Sequence, residues 1–344
     1  MDQQDVVRAY YGEALSGAQD LKTQACCCRD LVPAAHRVIL ANIEPEILAR
    51  FYGCGSPIPP ALAGCHALDL GCGAGRDAYL LSALVGETGS VIGVDMTAQQ
   101  LVVARRHQQS QARRFGQAQS NVDFRQGYIE DLAALGIADA SIDVVVSNCA
   151  INLVPDKAQV FAEIFRVLKP GGELLFADVF ASRRLPPELA DDPVLLGECL
   201  GGAMYIEDFR RLMALCGWPD YRVLVKCRID IGNTDVEARV GATDFWSMTV
   251  RAFKLATLED RCEDYGQVAV YRGSIADQPH RFVLDDHHTF ITGKPMLVCG
   301  NTAAMLQETR FAEHFQIMGD RSRHFGSFDC GGSAEAAACV GGCC

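Results

Sequence analysis

The chain has 344 residues, 49% of them apolar, and 43 acidic against 31 basic side chains give it a net charge of −12. That length and apolar content bury a large core and suggest about two domains. The acidic balance excludes a general affinity for nucleic-acid phosphates or anionic membrane surfaces, and no run reaches the roughly 18 apolar residues of a membrane span.

The start, Met1-Asp2-Gln3-Gln4-Asp5, lacks the basic end and apolar core of a secretory signal, so a cytoplasmic, reducing location is expected. Sixteen cysteines in such a compartment predict reactive, ligating or buried thiols rather than a disulfide frame. Residues 1–60 read as an N-terminal segment with cysteine loops. Neither helix nor strand can bury the whole triplet Cys26-Cys27-Cys28, and in Tyr52-Gly53-Cys54-Gly55 the flanking glycines predict an accessible sulfur.

Residues 61–228 alternate apolar runs with helical patterns. Strands are expected at Ala67 to Leu70, Val91 to Asp95, Val122 to Arg125, Ile142 to Ser147 and Glu173 to Asp178. Between them Asp77 to Leu84, Ala98 to Gln109 and Asp156 to Lys169 carry apolar residues at three and four spacing. This is a Rossmann-like α/β order with a parallel sheet. After Cys227 the alternation is lost, and runs such as Gln267 to Tyr271 and Arg281 to Leu284 suggest a smaller α+β domain over 229–328. The Cys-rich tail, 329–344, is small-residue rich and expected to be disordered.

Ligands in parallel sheets sit beyond the carboxyl ends of the strands. The first such end is Leu68-Asp69-Leu70-Gly71-Cys72-Gly73-Ala74-Gly75-Arg76. A dinucleotide fingerprint needs a third glycine where Arg76 stands, so helix and strand cannot close beneath a pyrophosphate. The pattern instead suits S-adenosylmethionine (SAM), with Gly71, Gly73 and Gly75 admitting the ligand to backbone and Asp69 facing its ammonium group. Asp95, about 20 residues on, suits ribose hydroxyls. Tyr52, Met96, Ile129, Glu130 and Asn148 complete the expected pocket, with Met96 and Ile129 on the two faces of adenine.

Cys149 follows a strand end directly, which sets its sulfur beside the bound SAM rather than deep in the core. Cys199 lies in the small-residue stretch Gly197-Glu198-Cys199-Leu200-Gly201-Gly202. Cys65, Cys72, Cys216, Cys227 and Cys299 sit among apolar neighbours and are assigned to packing. No C-x-x-C pair occurs, and His287-His288 lacks the spacing of a zinc site. Several thiols around a methyl donor imply a thiophilic substrate.

With these residues in place the chain resembles arsenite methyltransferases, from Tyr10 to about Phe328. The resemblance rests on Leu21-Lys22-Thr23-Gln24-Ala25-Cys26, Tyr52 to Gly55, Leu68 to Asp77, Asp95-Met96-Thr97, Gly127 to Glu130 and Ser147 to Lys157. It continues through Arg166 to Gly172, Gly197 to Tyr205 and Glu263 to Gln267. It implies that Cys149 and Cys199 hold arsenic throughout, that Cys54 is a further ligand, and that Cys26 closes a disulfide with Cys54. Cys27 and Cys28 stand beside Cys26 as alternatives. Thioredoxin or glutathione is the implied reductant.

Three thiolates replacing the hydroxyls of arsenite leave a pyramidal centre whose lone pair attacks the sulfonium methyl. Such a reaction needs positioning more than a general base. Thiol ionisation then makes activity rise toward alkaline pH. Two other readings are a C- or O-methyltransferase of a lipid or quinone, consistent with Leu168-Lys169-Pro170-Gly171-Gly172, and a thiol-rich protein that sequesters soft metals.

Overall fold

A computed structural model of the chain describes residues 3–15, 20–23, 32–190 and 192–330. The triplet Cys26 to Cys28 and the tail beyond Cys330 lie outside the described residues.

The five expected strands are β1 (His66–Leu70), β2 (Ser90–Asp95), β3 (Val122–Gln126), β4 (Ile142–Asn148) and β5 (Leu168–Ala181). They pair in parallel in the order β3-β2-β1-β4-β5. Their near-continuous apolar sequence follows from burial on both faces. One face packs Leu68, Leu70, Val145 and Phe176 with the helix Lys157–Val167, and the other packs Ala67, Val91 and Val146 with the helix Arg76–Val85. The helix expected over 98–109 ends at Arg106, and a turn at His107 (φ −95°, ψ 0°) starts a second helix, Gln108–Arg114.

β6 (Met204–Tyr205) adds to the end of β5. β7 (Arg222–Arg228) and β8 (Phe245–Phe253) then extend the sheet antiparallel, in the order β5-β8-β7. The domain boundary expected at 228/229 is therefore corrected: β8 lies inside the sheet, which runs to Phe253. β8 alternates Ser247, Thr249 and Arg251 with Met248, Val250 and Ala252, as a half-exposed strand of another domain would, yet all six are buried.

Beyond β8, a three-stranded antiparallel sheet of Gln267–Tyr271, Pro295–Val298 and Phe315–Met318 packs with the helix Gly300–Gln307. Its core holds Tyr271, Phe282, Phe290, Phe311 and Phe315. A buried charge network fastens this domain to the large sheet. Arg251 on β8 donates to Glu173 on β5 at 2.6 Å and to the Leu284 carbonyl at 2.6 Å, and Arg310 pairs with the same Glu173. Removing one member would strand a buried charge, a loss of about 3 to 5 kcal/mol.

Candidate active site

Strand order reverses at β1, whose neighbours β2 and β4 carry the chain to opposite sides, and a crevice opens there at the carboxyl edge. Asp69, Gly71, Gly73, Asp95, Met96, Ile129, Glu130, Asn148, Tyr52 and Cys149 all line one cleft. Gly75 does not line it; at φ 92° it starts the helix Arg76–Val85. Gly71 is required by contact as well as by φ 75°, because a Cβ there would come within 2.3 Å of the Ala150 Cβ. Gly73 faces open space, and its N–H donates to Asp95 Oδ2 at 2.8 Å.

Of the four carboxylates lining the cleft, Asp69, Asp77, Asp95 and Glu130, two stand beside the glycine turn with shifted protonation. Asp69 is buried with Oδ2 lacking a hydrogen-bond partner, and burial, then Asp77 and Asp95, push its carboxyl well above the usual range. A buried acceptor without a donor is costly, so a ligand ammonium group placed there satisfies it. Asp95 is raised by burial, against N–H bonds from Thr97 and Gly73. These observations fit SAM: a cationic amino-acid end at Asp69, an open glycine wall, and apolar Met96 and Ile129 beyond Asp95.

Thiols crowd the adjoining end of the cleft. Cys149 extends the strand pairing by donating its N–H to the Ala177 carbonyl at 2.8 Å, then turns the chain at φ 56°. Cys199, at φ 61°, donates from Sγ to the Cys149 carbonyl at 3.3 Å. Positive φ costs a non-glycine residue of order 1 kcal/mol or more, and both thiols carry that strain. Gly202 explains how their loops meet: a Cβ there would come within 1.9 Å of the Asn152 carbonyl oxygen. The Cys149 and Cys199 sulfurs and a carboxylate oxygen of Asp178 lie within 4.8 Å of one another.

Cys54 is joined to Cys149 by a disulfide, with Cα atoms 6.1 Å apart, inside the usual bridging range. Two expectations are corrected here. Cys54 is fully buried rather than accessible, because Asn148 and β8 close over its loop: Asn148 Oδ1 accepts from the Cys54 N–H at 3.1 Å and Ser247 Oγ donates to its carbonyl at 2.7 Å. The implied Cys26 to Cys54 disulfide is not formed, since Cys54 is bonded to Cys149; Cys26 itself lies outside the described residues. Asn148 also donates to Asp77 at 2.9 Å and so ties the thiol loop to the glycine turn. Val179, Leu195, Leu200 and Phe245 surround the sulfurs with apolar side chains.

Sequence reading missed two acids. Asp178, inside β5 three residues before its end, is fully buried and accepts N–H bonds from Asn152 and Val179; burial pushes its carboxyl up to about 7. Nearby Lys157 is held below its ordinary value by burial. Glu198 accepts from Tyr10 Oη, the Lys22 and Thr23 N–H groups and Thr23 Oγ1 at 2.6 to 2.9 Å, clamping the N-terminal segment beside Cys199. The signal for Asp178 was its place at the carboxyl end of the expected strand, and for Glu198 its place next to Cys199.

A cleft at the switch point of this seven-stranded order, with an acid that keeps one oxygen unpartnered beside a glycine turn, defines a SAM-dependent methyltransferase of the Rossmann-like class. Residues 62–217 match the family model described as a methyltransferase domain. Residues 264–340 match the model described as the arsenite methyltransferase C-terminal domain. An arsenite methyltransferase of Aquipseudomonas alcaligenes is 55% identical over 95% of this chain and 94% of its own length. One from Mus musculus is 43% identical over 90% of this chain and 82% of its own. The crystal structure of an arsenic(III) S-adenosylmethionine methyltransferase from Chlamydomonas reinhardtii superposes with a TM-score of 0.84 at 52% identity, covering 87% of this chain and all of that one. The chain belongs to the arsenite methyltransferase family.

Proposed function

We infer that this protein transfers methyl groups from SAM to trivalent arsenic held by Cys54, Cys149 and Cys199. The observation that carries the reading is the convergence of these cysteines, in an apolar shell, at the end of the cleft that fits the methyl donor.

The Cys54–Cys149 disulfide must first accept two electrons and two protons from a thiol reductant, of the thioredoxin or glutathione class. The three cysteines then displace three hydroxyls from arsenite, each leaving as water with a thiol proton. Ionised Asp178 would take such a proton from a thiol and pass it to a departing hydroxyl, so thiol ionisation has a local acceptor. SAM supplies the electrophilic methyl on a sulfonium. The arsenic lone pair forms the new bond to carbon, and the carbon–sulfur bond breaks with its pair going to sulfur. Arsenic is thereby oxidised by two electrons, and closure of a cysteine pair into a disulfide returns them. Cys26 is the candidate partner of Cys54 at that stage, with Glu198 holding the chain just before it. Mono- and dimethylated arsenicals are the expected products, and detoxification in the cytoplasm is the expected role.

The test is arsenite-dependent conversion of SAM to S-adenosylhomocysteine, with products identified by mass, in wild type and Cys149→Ser under a thioredoxin or glutathione system. Turnover in wild type and loss in the variant, with SAM still bound, supports thiol-held arsenic as substrate. Wild-type protein that binds SAM but gives no arsenite-dependent turnover overturns it and leaves an organic acceptor or sequestration.

A further inference from the structure

A second group of three cysteines, remote in sequence from the first, lies in the C-terminal domain. The sulfurs of Cys262, Cys299 and Cys330 are within 4.8 Å of one another. All three are free thiols, Cys299 buried and the other two half-buried. The proposed reaction uses none of them. Assigning Cys299 to simple packing is corrected by its surroundings. Its Sγ caps the helix Gly300–Gln307, accepting from the Thr302 N–H at 3.4 Å and lying 3.3 Å from Thr302 Oγ1. The Arg222 guanidinium approaches the same sulfur at 3.8 Å. The helix N-terminus favours the sulfur as thiolate, and the Arg222 guanidinium, which also pairs with Asp220 and Asp285, brings donors to it.

We propose that Cys262, Cys299 and Cys330 form a second binding site for a trivalent, three-coordinate thiophilic centre, namely arsenite. Three soft donors that close together exclude hard cations such as magnesium and calcium. Structural zinc takes four ligands, and among the described residues no fourth His, Cys, Asp or Glu joins the group. Trivalent arsenic completes its shell with three sulfurs and a lone pair. Binding is substitution without redox change: three arsenic–oxygen bonds break, three arsenic–sulfur bonds form, and three waters leave with the thiol protons. The half-buried Cys262 and Cys330 provide entry, and the absence of these residues from the SAM-cleft lining makes the site one of retention rather than turnover.

The experiment uses the full chain, reduced, carrying Cys149→Ser and Cys199→Ser to disable the first group, and separately Cys339→Ser, Cys343→Ser and Cys344→Ser to remove tail thiols. After incubation with arsenite and desalting, arsenic per chain and its X-ray absorption are measured, with SAM binding as the check of folding. Expected is one arsenic per chain with a three-sulfur shell, kept by the tail variant and lost on adding either Cys262→Ser or Cys330→Ser. Cys299→Ser, which preserves a capping oxygen, should lose it too. Absence of arsenic, retention that survives the Cys262 and Cys330 changes, or zinc found in place of arsenic would each overturn the assignment. Since the readout is retained arsenic, wild-type turnover can fail or succeed independently of it.

Discussion

Cys149 and Cys299 each stand with two other cysteines, but one sulfur is next to a carboxylate and the other next to a guanidinium. Around Cys149 the neighbours are Asp178, strained backbone and the SAM cleft. Around Cys299 they are Arg222, the first N–H groups of a helix, and a domain core away from the cleft. A carboxylate near neutrality takes and returns protons, which suits thiols that bind and release. The first N–H groups of a helix keep thiolate charge in place, which suits holding. On the readings proposed above, clustered thiols set which element is recognised, and what lies beside them sets whether it is turned over.

The sharpest break of this contrast is Cys149→Ser, which should lower arsenite-dependent turnover at least about 10³-fold by removing the grip that positions arsenic, with SAM affinity unchanged by calorimetry. Asp178→Asn comes next. With the carboxyl near pH 7, wild-type Asp178 is ionised and able to accept a proton above that pH and neutral below it. Activity should therefore fall as pH drops through about 7, and the variant should lose about 10² in rate above that pH and show a flatter profile. An unchanged profile would remove the proton-acceptor role.

Asp69→Asn removes the acid proposed to face the donor's ammonium group, and titration should show SAM bound about 10- to 100-fold more weakly. Wild-type affinity should rise with pH as Asp69 ionises, because only the anion pairs with the ammonium. Glu198→Gln should slow turnover about 10-fold by loosening the N-terminal segment, since it removes the charge from all four bonds and sets an amide N–H against one backbone N–H, and speed hydrogen exchange at Lys22 and Thr23 while SAM affinity holds. Smallest is Cys262→Ser, which should leave turnover within about twofold. A larger loss would mean the two thiol groups are coupled and would erase the contrast.

The methyl-donor half was legible because its signals are local. Apolar runs, turn glycines and the acids Asp69 and Asp95 sit within a strand and the loop that follows it, so one window of sequence carries one function. The second half resisted. β8 fell in the smaller domain because the alternation of strand and helix is lost after Cys227, yet β5 and β7 take it up into the large sheet from either side. Cys54 read as accessible because glycines flank it, yet Asn148 and Ser247 bury it from other elements. Asp178 and Glu198 looked like ordinary acids until the Asn152 N–H reached the first and the Lys22 and Thr23 N–H groups the second.

Residue order alone determined the parallel sheet, the glycine turn and the presence of a SAM cleft, since backbone conformation and strand-end chemistry follow from short-range rules. Which sulfurs meet was decided only by tertiary structure. Cys54 and Cys149 are separated by 95 residues and Cys199 lies 50 further on, and they meet because β4 ends beside β5 with Asn148 opposite Ala177 and Gly202 lets the loops close. Cys262, Cys299 and Cys330 meet only through the packing of the C-terminal domain. Long-range contact depends on strand order and packing, which spacing along the chain does not encode.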